Sequence, residues 1–184
     1  MTSLRAFALA FALLPSLAPM GFAQSATFEA GNWAAIVKGK TCSVYSIRSA
    51  RDTTGYLEFS FDQMGYNANF AYVYVPFDAN DVEAPWDMDA DAIALWLGDE
   101  QLWLGEEMSF YTQGFTYAAG LTNGFVPELI SAMRSPSGDF GFGIEKASAG
   151  ETWLYGGFSL DGFDAALAWA GETCQFDPSA LPQS

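Results

Sequence analysis

The chain has 184 residues, 22 of them Asp or Glu against 7 Lys or Arg, with no histidine and a formal net charge of −15. So acidic a protein lacks the cations that neutralise phosphates, which excludes nucleic acid and electrostatic docking on anionic lipid. The lack of histidine removes Ser-His-Asp and Cys-His catalysis and histidine-ligated zinc, copper or haem. Aromatic residues at 16%, together with 18 glycines, suit packed β-sheets better than a helical bundle.

At the N-terminus, MTSLRAFALAFALLPSLAPMGFAQ sets Arg5 ahead of an apolar core from Ala6 to Leu17, with small residues Gly21 and Ala23 before Gln24. This is the pattern of a signal peptide over residues 1–23, and it predicts an exported chain, periplasmic or secreted. Cleavage would remove Arg5 and no acidic residue. Residues 24–184 then form a single domain with a full-sized core. No later stretch reaches the roughly 18 uninterrupted apolar residues of a membrane span.

Period-two alternation marks a series of strands. SVYSIR (43–48) is the first, followed by YLEFSF (56–61), where Leu57, Phe59 and Phe61 share one face and Tyr56, Glu58 and Ser60 the other. In NFAYVYVPF (69–77), Phe70, Tyr72 and Tyr74 oppose Ala71, Val73 and Val75, and Pro76 ends the ladder. IALWL (93–97), EMSFYT (107–112), FTYAAGL (115–121), FGFGIEK (140–146) and TWLYGGFSL (152–160) continue the pattern. GDEQ (98–101), SPSGD (135–139) and SAGE (148–151) carry turn chemistry between them.

Two helices interrupt this β background. Residues 126–134, VPELISAMR, have Pro127 near the start and an apolar stripe of Val126, Leu129, Ile130 and Met133. Residues 162–170 follow Asp161 as N-cap, bury Phe163, Ala166, Leu167 and Ala170, and stop at Gly171. The tail from about residue 176, FDPSALPQS, is expected to be loose. The fold class that results is mainly β, an antiparallel β-sandwich with two short α-helices.

Cys42 and Cys174 are the only cysteines. In an exported chain they read as one disulfide, tying the start of the first strand to the end of the last helix. No CxxC motif suggests redox chemistry.

No phosphate-binding loop is present, and FGFG (140–143) is not the dinucleotide fingerprint. Glycoside hydrolysis needs only two carboxylates, but at a set separation around a cleft, and no such pair is singled out. No cofactor and no enzymatic activity are expected. Residues 78–107 contain ten Asp or Glu and no Lys or Arg. Within them, DMDADAIALWLG (87–98) begins as a calcium loop with Asp87, Asp89 and Asp91, then departs from it at Ala92 and Gly98, where glycine and glutamate belong. A solvated acidic loop is the preferred reading, weak calcium binding by those three aspartates the alternative, and no metal is expected. Of the six tryptophans, Trp96 and Trp103 sit in apolar strands and read as core. Trp86, after Pro85 in the acidic loop, and Trp169, on the less apolar side of the last helix, are the candidates for a ligand patch that stacks on sugars or anchors a protein.

GFVPELISAMRS (124–135), the strand at 140–146 and FSLDGFDAALAWA (158–170) resemble the second half of the invasion-associated locus B family of exported bacterial proteins. GNWAAIVKGKTC (31–42) is similar to that family's opening tryptophan strand leading to a cysteine. The family's central Pro-Leu-Gly element and its additional cysteine pair have no counterpart, so the chain resembles a divergent member. The resemblance implies a β-sandwich in the periplasm or at the outer surface. It transfers no functional residues, because the matching motif is structural. The expected function is therefore a non-enzymatic envelope protein that binds another protein or an envelope glycan. The alternative is a carbohydrate-binding or weak calcium-binding module built on the acidic, Trp-containing region 81–107.

Overall fold

The computed structural model describes residues 26–47, 55–76, 84–102, 108–113, 116–122, 124–134 and 138–182. The expected signal peptide (1–23) lies outside them, as do residues 77–83 and 103–107 of the acidic region, Trp103 included. The described strands are β1 (Thr27–Ala30), β2 (Trp33–Lys38), β3 (Thr41–Ser46), β4 (Gly55–Asp62), β5 (Asn69–Tyr74), β6 (Ala92–Leu97), β7 (Glu100–Leu102), β8 (Met108–Gln113), β9 (Thr116–Thr122), β10 (Phe140–Lys146) and β11 (Glu151–Phe158). Two helices accompany them, α1 (Val126–Met133) and α2 (Phe163–Cys174).

The strands form two sheets, a seven-stranded one ordered β1-β2-β3-β4-β5-β9-β8 and a four-stranded one ordered β11-β10-β6-β7. Every pairing is antiparallel. The sheets face each other through the apolar halves of their alternating strands. Leu57, Phe59, Phe61, Phe70 and Tyr72 of the large sheet and Phe140, Phe142, Ile144 and Phe158 of the small sheet are all fully buried. Tyr72 stacks on Phe142 with ring centroids 4.1 Å apart, and Phe70 meets Phe140 edge-on at 6.0 Å. The expected mainly β sandwich with two short helices is the observed fold.

Four strands cannot cover seven, and α2 covers the remainder by packing on β1, β2 and β3. Its Phe163 ring lies 4.8 Å from Trp33 and 5.5 Å from Phe59. The turn that leads into α2 clasps the β1–β2 hairpin: the Asn32 N–H donates to the Asp161 carbonyl at 2.8 Å, and the Trp33 indole N–H donates to the Ser159 carbonyl at 2.8 Å. This accounts for the SLDGF stretch. Its carbonyls serve the hairpin, and Gly162 (φ 92°) takes the N-cap position in place of the expected Asp161. A Cβ on Gly162 would overlap the Ala30 carbonyl, so the position has room only for glycine.

Other expectations are corrected as well. Helix α2 runs through Gly171 to Cys174 and ends at Gln175 in the left-handed region (φ 61°). Gly171 instead makes room for the returning tail, since a Cβ there would sit 2.7 Å from the Phe176 carbonyl. That tail is packed through residue 182: Phe176 lies 4.7 Å from Phe61, Leu181 is buried, and both approach Gly65. Cys42 does pair with Cys174, but from the third strand rather than the first. Strands β2 and β7 show no clean alternation, and β1, which does alternate, spans only Thr27–Ala30. In β2, Trp33, Ala34 and Ala35 are all buried, so both faces are apolar, and β7 begins inside what reads as turn sequence, two residues after Gly98 (φ 61°). Helix α1 matches its predicted stripe, and Arg134 at its end pairs with Asp164 of α2 at 2.8 Å.

Candidate functional site

Trp86 is buried, 2% exposed, and cannot stack on an external ligand. Its indole is stacked on Phe110 at 5.2 Å and enclosed by Tyr155, Tyr74, Tyr72 and Tyr117 at 5.7 to 6.4 Å. The cause is the residue before it, because the Pro85 carbonyl accepts hydrogen bonds from the Tyr155 hydroxyl and the Lys146 ammonium and so draws the loop into the mouth of the sandwich. The Trp86 indole N–H has no acceptor among the described residues. Burial, with Tyr74, Tyr72 and Asp91 nearby, pushes the Tyr155 hydroxyl up to about 12.

Trp169 is half-buried and lies flat on Phe28, 5.7 Å between centroids, which docks α2 on β1. The two tryptophans are thus on different elements and build no common patch. Trp96, expected in the core, lies instead on the outer face of the small sheet, where Gly141 and Gly143 leave the space its indole fills.

The three aspartates of the calcium pattern do not converge. The Asp87 Oδ1 accepts the N–H groups of Asp89 (3.0 Å) and Ala90 (3.2 Å), which folds the loop on itself. Asp91 points the other way: its Oδ2 accepts from the Asp87 N–H at 2.8 Å and from Lys146, and its Oδ1 accepts from the Ala147 N–H at 3.0 Å. Burial alone would raise the Asp91 carboxyl, but these donors and the Lys146 charge hold it below the ordinary carboxylate value. The Asp87 and Asp91 carboxylates are committed to loop and hairpin, and among the described residues no three His, Cys, Asp or Glu gather as metal ligands.

A concavity that combines aromatic rings with a charge lies on the outer face of the large sheet. It is a groove of about 290 Å³ lined by Tyr56, Glu58, Asn69, Ala71, Val73, Tyr111 and Ala118, with Ser60 and Thr116 at its ends. Strand register explains its shape. One row across the sheet reads Tyr56, Val73, Ala118, Tyr111, and the next reads Tyr45, Glu58, Ala71, Gly120, Ser109. Small residues on β5 and β9 therefore form a floor between tyrosines on β4 and β8, strands about 14 Å apart. Gly120 deepens the floor, since a Cβ there would press on the Phe70 carbonyl and lie 3.3 Å from the Tyr111 ring.

The polar groups of this groove face one another. Burial and then the Glu58 charge push the Tyr56 hydroxyl above its ordinary value. The same two causes, with Tyr56 as a third, raise Tyr111. Both phenols therefore stay neutral through the physiological range. The arrangement offers two aromatic walls, an apolar floor and one carboxylate. It offers no nucleophile paired with a base.

The outer positions of β4 and β5 were legible in the sequence, but not that β9 and β8 extend the same face, so the groove was missed. A run of small residues on the polar face of neighbouring strands, bordered by tyrosines, is the signal that would have found it. Comparison of the chain with family models, with characterised proteins and with solved structures finds no match.

Proposed function

We propose that the chain is an exported, non-enzymatic binding protein of the bacterial envelope, a divergent relative of the invasion-associated locus B proteins, and that the groove between Tyr56 and Tyr111 is its ligand site. The observation that carries this reading is the groove itself: large side chains on two strands flank small ones on the two strands between, around a single carboxylate. Such a mix of apolar surface and few convergent polar groups is what small-ligand sites present. The Cys42–Cys174 disulfide points to an oxidising compartment, which supports export to the periplasm or beyond. Among the described residues no helix is long and apolar enough to cross a membrane.

The test is a nuclear magnetic resonance screen of the isotope-labelled protein against amines, amino sugars, short glycans and peptidoglycan fragments. Ligands are expected to move the signals of Tyr56, Ala71, Ala118 and Tyr111. Binding that moves only residues on the small sheet would overturn the assignment.

A further inference from the structure

The groove has a chemistry more specific than its shape. Glu58 is half-buried in its lining and is the one charged side chain there. A carboxylate set among aromatic and apolar side chains selects a cationic ligand by charge complementarity. Among the described residues, Lys38 shares a neighbouring hollow with Glu58, lined also by Ile36, Tyr45, Ile47 and Tyr56. Lys38 sits on the Thr41 row, four residues along β2 from the Ala34–Tyr45–Glu58 row, about 13 Å in the strand direction. It is exposed at the strand end and forms no ion pair with Glu58.

The walls favour the same ligand charge. Tyrosine rings present negative faces that attract ammonium groups, the more so when solvent is partly excluded. The floor of Ala71, Val73 and Ala118 suits the methyl or methylene groups that surround an organic ammonium and offers nothing to an anion. A net charge of −15 adds a field that concentrates cations at the surface.

The geometry points to an organic cation as the ligand, an alkylammonium group held between the rings of Tyr56 and Tyr111 with Glu58 as its counter-charge. This rests on the groove being the ligand site. A quaternary or primary alkylammonium fits, whether it comes from a free amine or from an exposed headgroup or side chain of a larger molecule.

The experiment titrates the full oxidised protein with choline and with its uncharged isostere 3,3-dimethylbutanol, followed by magnetic resonance, with neutral monosaccharides as a third arm. Choline is expected to shift the Tyr56 and Tyr111 ring signals and to bind about tenfold or more tightly than the isostere. Glu58→Gln should remove most of that preference, and Tyr111→Ala should weaken choline in a protein whose circular dichroism is unaltered. Equal binding of choline and isostere, or indifference to Glu58→Gln, overturns the cation. If saccharides alone move the groove signals, the cation falls while the groove stands. If no arm moves them, the groove assignment falls with it.

Discussion

At Gly162 the backbone has a φ of 92°, and any Cβ would collide with the Ala30 carbonyl of the hairpin that the turn clasps. Gly39 has a similar φ of 66° but open space around the missing Cβ. The pair separates two effects that usually come mixed, backbone strain and steric overlap. Gly39→Ala should cost about 1 kcal/mol, the strain alone. Gly162→Ala should cost about 3 kcal/mol or more, because the β1–β2 hairpin and the start of α2 must move apart. Denaturant unfolding of the two variants checks this, and equal losses would show that the clasp at Ala30 does not hold α2 in place.

Among the elements, the loop carrying Trp86 and the β10–β11 hairpin are joined by the Asp91–Lys146 pair, whose side chains are 2% and 11% exposed. The Lys146 ammonium also lies 5.5 Å from the Trp153 ring, which donates its own N–H to Glu151. Removing one partner leaves a buried charge unmatched, so Asp91→Asn should destabilise the protein by about 3 kcal/mol near neutral pH. The Asp91 carboxyl is lower in the folded chain than in the unfolded one, so its contribution is complete above the unfolded value of about 4 and fades as pH falls through the folded one. Unfolding of wild type and variant across pH 7 to 2 should converge in acid; a constant gap would assign the loss to packing instead.

The same elements show what the chain's pattern reveals and what it hides. Alternation in β4 and β5 displays which side chains face inward, because burial of one face is a local requirement. The β5–β9 pairing joins residues about fifty positions apart through α1-preceding strands, and no local pattern encodes it. The groove depends on that pairing and stayed hidden with it. Trp86 stands among polar neighbours and reads as exposed, yet rings from β5, β8, β9 and β11 enclose it. The polar composition of the tail conceals that two side chains, Phe176 and Leu181, are enough to anchor it.

For the molecule as a whole, the disulfide spans a sequence separation of 132 and joins β3 to the last residue of α2. Restricting so long a segment of the unfolded chain should stabilise the fold by about 3–5 kcal/mol, less whatever structure the reduced chain retains. Denaturant midpoints of the oxidised protein and of a Cys42→Ser, Cys174→Ser double variant measure it. An unchanged midpoint would mean that the packing of α2 on β1 to β3 already restrains the chain as much as the bond does.

That packing bears on how the protein is made. Trp33, Val44 and Phe59 belong to early strands, whereas Phe163 and Phe176, which cover this region, lie far later in the chain. A polypeptide emerging N-terminus first cannot finish this part of its core until α2 has followed the strands it covers.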